Sequence, residues 1–314
     1  KDVISRDFPD MSCLPLTLEP TGKIRKAVVL AAGFGTQHYP ATAAMSMAFL
    51  PLVVGGVTKP ALLLHIEKLD EAGVEEIAIV CQPGDVPTIR NLFHNKLSAQ
   101  NFSKLSSGQK EYAKRLRSLG LKVKIVVQEK QEGMGHAVLT ASSFCNDEPF
   151  LLVIAHHLMD SECKTFNCFS QLLKTFEASG NDTVAVRQVA IECISKYGVA
   201  ACASYSPKAS MKITKMMEKP TAAVASSSLV TPSLPPDKFL SFFGIYALKP
   251  HIFSVLKAKI EENAKSPQGY FNLTEALKEI NKHNTVNAFE IEGVRYDLTD
   301  PVKYAEAVSI FARR

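Results

Sequence analysis

The sequence predicts an α/β protein, with a mostly parallel sheet flanked by helices on both faces. Three observations carry that expectation. Short apolar runs such as KAVVLAA at 26–32, EEIAIVCQ at 75–82 and FLLVIA at 150–155 have the length of strands buried on both sides. Segments with apolar residues at helical spacing lie between them, as in strand–helix–strand crossovers. The first run breaks at Gly33 and Gly35, and a strand that spills into a glycine-bearing loop commonly brings backbone N–H groups up to phosphates.

In order, residues 1–22 hold three prolines and little periodicity and are expected to form an irregular arm or linker. The domain proper is expected over 23–314, with a helical C-terminal part at 251–314. After the first loop, which runs on to Pro40 and Pro51, PALLLHIEKLDEAG places Pro60 at a helix N1 position and Gly73 past the helix end. Residues 84–120 read as a polar, mostly helical excursion, and KVKIVVQ at 122–128 returns to the sheet. GMGHAVLTASSF opens a helix at a glycine turn. A helix near 167–179 and a strand at 182–190 follow. The segments YGVAACASY, MKITKMME and FLSFFGIYAL are shorter strands. Residues 221–238, rich in Ala, Ser and Pro, are expected to be a loop. Helices at 250–264, 273–283 and 302–312 and a strand at 285–291 complete the chain.

The bulk numbers exclude several classes. A net charge of +5 with no Lys/Arg block argues against a nucleic-acid partner. The basic stretch KEYAKRLRSLGLKVK at 110–124 has the spacing of a solvated helix face. No apolar stretch reaches the roughly 18 residues a membrane span needs, and no secretory core is present at 1–25. Seven cysteines without CxxC spacing fit reduced thiols of an intracellular compartment, and Cys145, Cys163 and Cys168 lack a pattern that would mark a nucleophile. Met211, Met216 and Met217 read as core or pocket fillers. The chain opens with Lys1 rather than Met, as a piece of a longer polypeptide would. GxGT alone suggests a dinucleotide fold, but the third glycine and the later ribose-binding acid are missing.

Several motifs occur in a specific order: AAGFGTxxxPAT at 31–42, FLPLV at 49–53, KPALL at 59–63 and QPGD at 82–85. QEGMGHAV at 131–138, DEPFLLV at 147–153, YGV at 197–199, EKP at 218–220 and RYD at 295–297 follow. Together these resemble the sugar-phosphate nucleotidyltransferases, in particular the glucose-1-phosphate uridylyltransferase (UDP-glucose pyrophosphorylase) branch, over residues 24–312. The resemblance implies a Rossmann-like, GT-A-like nucleotide-diphospho-sugar transferase fold. It also implies in-line displacement at the α-phosphorus of UTP by a sugar 1-phosphate, catalysed by positioning and charge neutralisation.

The chain departs from that family where the charge should be. The family's first loop carries GxGTR, two further lysines and a glutamate; the matching positions are Gln37, Ala43, Met47 and Ala48. His38 is the nearby replacement. The family's strand ends in Gly-Asp, whose carboxylate holds Mg²⁺; here the chain reads Ala155-His156-His157. Adjacent residues on a strand point to opposite faces, which argues against a shared soft-metal site at the two histidines. The second metal position matches Asp297, which also fits a hydrogen-bonded loop aspartate.

Other family positions persist. Ala32, Gly33, Gly35, Gln128 and Gly133 match the nucleotide side, and Gly198, Glu218 and Lys219 the sugar side. The three glycines Gly33, Gly133 and Gly198 also fit simple turns, and Glu218 with Lys219 fits a surface pair. Two readings follow. One is a degenerate uridylyltransferase-like scaffold or interaction module, retaining a uridine nucleotide or UDP-sugar and engaging a protein partner or a second copy. The other is an active UTP:glucose-1-phosphate uridylyltransferase, with Mg²⁺ as cofactor only in that case and phosphate cations drawn from Lys59, Lys130 or a partner chain.

Overall fold

A computed structural model describes residues 22–163, 165–263 and 272–313. The arm expected at 1–22 lies, apart from Gly22, outside them. The strands are β1 (Lys26–Leu30), β2 (Pro51–Val54), β3 (Val57–Pro60), β4 (Glu76–Cys81), β5 (Val123–Val127), β6 (Phe150–Ile154) and β7 (His157–Ser161). They continue with β8 (Asp182–Ala190), β9 (Gly198–Cys202), β10 (Ser210–Glu218), β11 (Lys238–Leu248), β12 (Val286–Glu290) and β13 (Gly293–Asp297). Nine of them form one sheet in the order β5-β4-β1-β6-β11-β8-β12-β10-β9, with two separate two-stranded ribbons, β2-β3 and β7-β13.

The half of the sheet that carries the glycine loop is parallel: β1 pairs in parallel with β4 and β6, and β4 with β5. β11 runs antiparallel to both β6 and β8, so the complete sheet is mixed. Alternation along β1 explains why both faces are covered. Val28 and Leu30 enter one apolar cluster with Ile252, Leu256 and Leu277, while Ala27 and Val29 enter the other with Leu62, Ile66 and Phe169. The helices His251–Asn263 and Leu273–His283 therefore pack on one face, and Ala61–Glu71 and Cys168–Ser179 on the other. No helix among the described residues is long and apolar enough to cross a membrane.

Three local expectations are corrected. Pro60 is not at N1: it closes β3 and serves as the N-cap, in an extended conformation, of the helix Ala61–Glu71. The segment 221–238 is not all loop, because Thr221 accepts a hydrogen bond from the Val224 N–H and caps a helix over Ala222–Ser228. The loop expected to run on to Pro40 and Pro51 is not all loop, since it holds the short helix Ala41–Ala44, and beyond it β2 and β3 pair as a hairpin across Gly55-Gly56, both with positive φ. Met211 and Met216 are buried, as fillers should be.

Candidate functional site

Parallel strands present their C-terminal ends on one edge, where ligands of open α/β sheets bind. Here the loops leave that edge in register. The Ala31 N–H donates to the Val80 carbonyl (2.8 Å), the Gln128 N–H to the Cys81 carbonyl (2.8 Å), and the Ala155 N–H to the Leu30 carbonyl (3.1 Å). The sheet hydrogen bonding thus continues one residue into each loop and holds the three loop starts level.

A cavity of about 320 Å³ opens between them, lined by Ala32, Gly33, Gln128, Gln131, Gly133 and His156 among others. Gly133 has φ +96° and begins the helix Met134–Thr140. A chain of side chains braces the mouth: Gln131 Nε2 donates to the Ala32 carbonyl (2.8 Å) and to Gln82 Oε1 (3.2 Å). Gln82 Nε2 donates to Ser46 Oγ (2.7 Å), whose hydroxyl faces both Asp85 oxygens (2.6 and 2.7 Å). Burial pushes the Asp85 carboxyl up, against the hydrogen bonds from Ser46 and Gln82. Gln131 and Ser46 were not singled out in the sequence, since neither has a chemical signature outside this network. Gln128 keeps its amide donors for the Gly133 carbonyl and His136 Nδ1.

A second cavity, about 560 Å³, is lined by Gln37, Lys196, Lys219, Asp297, Thr299 and Lys303 among others. His156 lines the first cavity and Asp297 the second, and these two groups lie close together. Asp297 and His157 face each other in the β7-β13 ladder, and the Leu298 N–H donates to the His156 carbonyl (2.8 Å). His156 sits in the turn between β6 and β7, not within a strand, so the opposite-face expectation fails. The two imidazoles meet edge to face with centroids 4.5 Å apart, and one ligating atom from each of His156, His157 and Asp297 lies within 4.8 Å of the others.

Charges in this cluster are set by burial. It lowers His156 to about 4, opposed by Asp297 and aided by Arg295 and Lys219. Burial, then the neighbouring His156 and Arg295, hold His157 well below the ordinary histidine range. Burial pushes Asp297 up, but hydrogen bonds from the Thr299 hydroxyl (2.6 Å) and N–H (3.0 Å) outweigh it, with His156 and Tyr197 acting the same way, so its carboxyl stays below the usual range. Tyr197 donates to Asp297 Oδ2 (3.1 Å), and the Arg295 guanidinium stacks 3.6 Å from the Tyr197 ring centroid.

The family's metal does not fit this arrangement. Mg²⁺ takes oxygen ligands in near-ideal octahedral geometry. The cluster offers one carboxylate, already accepting three hydrogen bonds, and two imidazoles.

The loop positions expected to depart from the family pattern fall into two groups. Gln37 and Ala43 are exposed, on the 3₁₀ turn Thr36–His38 and the short helix Ala41–Ala44. Met47 and Ala48 are buried, and Met47 packs with Leu50, Leu52, Leu64, Leu158 and Leu298. Gly35 has φ +72°, and a Cβ there would lie 3.1 Å from the Met47 Cβ. Ala155 is buried, and its carbonyl accepts from His65 Nε2 (2.9 Å).

The replacement cations resolve differently. His38 is buried with its Nε2 against the Leu298 carbonyl, so it ties the loop to the C-terminal segment and is no phosphate cation. Lys59 pairs with Glu67 (2.7 Å) and lies over the Tyr112 ring, which occupies it. Lys130 is exposed. Glu218 and Lys219 are not a surface pair: Glu218 Oε2 accepts from the Thr274 hydroxyl (2.6 Å), while Lys219 lines the larger cavity. Gly198 admits no side chain, because a Cβ would sit 2.5 Å from the Phe242 ring.

His65, an unremarked histidine on an apolar helix face, gives a pH prediction. Burial lowers it to about 4 from the ordinary 6.5. Between those values the unfolded chain binds the proton and the folded chain does not. Stability is therefore full above pH 6.5, falls as pH drops toward 4, and changes no further from this group below that. The loss is about 3 kcal/mol. His65→Gln should flatten the acid side of a stability-versus-pH curve by close to one proton; an unchanged slope would show that His65 titrates normally.

The comparisons with known proteins agree with this geometry. The nucleotidyl transferase family model matches residues 26–307. The chain is 31% identical over 280 residues to the UTP–glucose-1-phosphate uridylyltransferase YngB of Bacillus subtilis, covering 88% of this chain and 86% of that protein. It is 30% identical over 282 residues to the UTP–glucose-1-phosphate uridylyltransferase of Streptococcus pneumoniae, covering 89% and 87%. The solved structure of a UDP-glucose pyrophosphorylase complexed with UDP-glucose superposes with a TM-score of 0.74 at 26% identity, covering 92% of this chain and 99% of that one. The level loop starts, the glycine-lined cavity and the family match over residues 26–307 together place the chain in the nucleotidyl transferase family, as a uridylyltransferase-like domain.

Proposed function

We propose that this chain binds a uridine nucleotide or UDP-sugar at the C-terminal edge of its parallel strands and does not transfer the uridylyl group at the rates of an intact enzyme. It would then serve as a degenerate scaffold or interaction module for a protein partner or a second copy. One observation carries this reading: the loop that should face the triphosphate holds Gln37, Ala43, Met47 and Ala48, and the metal position holds imidazoles. Base and sugar recognition need backbone approach and a few hydrogen bonds, and those surfaces remain around Ala32, Gly33 and Gly133. Calorimetric titration with UDP-glucose, UTP and glucose 1-phosphate, with and without Mg²⁺, tests it. Metal-independent binding of UDP-glucose without turnover is expected. Rapid Mg²⁺-dependent pyrophosphate release would overturn it.

A second reading is the active uridylyltransferase, and two observations favour it. The relatives reported above are named as uridylyltransferases. Lys196, Lys219 and Lys303 line the 560 Å³ cavity beside Gln37 and have no ion-pair partner among the described residues, so they could supply the charge the loop lacks. On this reading Asp297→Asn abolishes turnover, and a variant that turns over without Asp297 counts against it.

A further inference from the structure

We propose that His156, His157 and Asp297 form a binding site for a borderline divalent transition ion of the zinc class, in place of the family's magnesium. Two imidazoles and one carboxylate with a coordination position left open are a donor set for such ions and a poor one for Mg²⁺. It rests on the cleft described above but not on its nucleotide.

Geometry supports the site beyond proximity. His157 is buried, its Nδ1 has no hydrogen-bond partner among the described residues, and its Nε2 lies 4.0 Å from Asp297 Oδ2. Nδ1 lies against Gly244, so Nε2 is the ring nitrogen presented to an ion shared with Asp297. Two ligands of a tetrahedral zinc lie roughly 3.3 Å apart, given metal–ligand bonds near 2.0 Å. The 4.0 Å gap is thus too long for a hydrogen bond and within a small ring rotation of a shared ion. Asp297 is already aimed, by Thr299 on one oxygen and the Tyr197 hydroxyl on the other, which is how ligating carboxylates are normally held.

Gly244 makes room for the ring, since a Cβ there would sit 2.3 Å from His157 Nδ1. The open side faces ligand space, because His156 lines one cavity and Asp297 the other. A water or a ligand oxygen would complete the coordination. Arg295 works against the site, since its fixed charge stacks on Tyr197 beside Asp297. Its presence makes the site weaker than a closed structural zinc centre.

The test is a visible-absorption titration of the tag-free full chain with Co²⁺. One equivalent should bind with the ligand-field bands of a four- or five-coordinate ion and no sulfur-to-metal charge transfer. Zn²⁺ should displace it and Mg²⁺ should not. His156→Gln and Asp297→Asn, each checked for folding by circular dichroism, should weaken binding at least ~10-fold, since even outer partners of a metal cost that much. Tyr197→Phe, which keeps the ring under Arg295 and removes only the hydroxyl, should weaken it by about 10-fold. No saturable binding, a thiolate band, or equal affinity in His156→Gln and the parent would overturn the site. Parallel calorimetry with UDP-glucose separates the two readings: cobalt binding without UDP-glucose heat removes the nucleotide proposal alone, and UDP-glucose heat without cobalt binding removes the metal site alone.

Discussion

Returning the missing charges, with Gln37→Arg, Ala43→Lys and His156→Asp in one chain, is expected to raise Mg²⁺-dependent pyrophosphate release from UTP and glucose 1-phosphate by at least ~10³-fold. Two unit charges about 4 Å apart are worth roughly 4 kcal/mol at an effective dielectric near 20. If solvent leaves half of that, each restored contact is worth about 2 kcal/mol, or close to 30-fold in rate. Three such contacts multiply to roughly 10⁴, so the stated gain leaves room for imperfect placement. The choice of positions follows from exposure. Gln37 and Ala43 are exposed and can take long cationic side chains at no burial cost, and His156 already stands beside Asp297. Met47 and Ala48 are left alone because both are buried: a Lys at 47 would put a charge against the Leu50–Leu64–Leu298 cluster, and a Glu at 48 against the cluster of Leu62, Leu63 and Ile66. The assay is single-turnover pyrophosphate release, with calorimetry to confirm that UTP binds. A variant that binds UTP and turns it over no faster than the parent would sink the account of lost charge. A parent already fast would favour the active reading.

Gly244→Ala is the second large effect, on stability. Gly244 has φ +100° and lies where β11 shifts register against β8 between Phe242 and Tyr246. A side chain there is strained by about 1–3 kcal/mol. Its Cβ would also sit 2.3 Å from His157 Nδ1 and about as deep into the ring as 3.1 Å from Cγ, which forces the imidazole to move. Overpacking of that kind typically costs another 1–3 kcal/mol. The sum is roughly 4 kcal/mol by denaturant unfolding. Gly55→Ala separates the two parts, because Gly55 has φ +56° but nothing within 4 Å of its Cβ. If Gly244→Ala costs no more than Gly55→Ala, the contact with His157 is soft.

Much of the fold was legible because its signals are local. The runs at 75–82 and 150–155 contain the observed β4 and β6, since a strand buried on both faces needs nothing but apolar residues, and the run at 122–128 contains the edge strand β5. The helix at 273–283 is set by its own spacing and the Asn272 cap. β7 and β13 were missed for the opposite reason. HLMDS and GVRYD carry no clear alternation, and each is a strand because the other lies beside it. The antiparallel course of β11 is equally non-local, as nothing in FLSFFGIYAL states the direction of its neighbours.

The site divides the same way. Identity at Gln37, Ala43 and Ala155 is a property of the sequence, and with it the absence of a charged side chain at those positions. Whether His38 and Lys59 could replace that charge was decided by their partners, Leu298 and Glu67, which lie 260 and 8 residues away. The convergence of His156, His157 and Asp297 was decided by a turn and a cross-strand pairing that join positions 140 residues apart. The sequence by itself determined which chemical groups this cleft contains, because each group is one residue. Only the tertiary structure decided which of them are free, paired or brought together, because those are distances between segments that chain order does not specify.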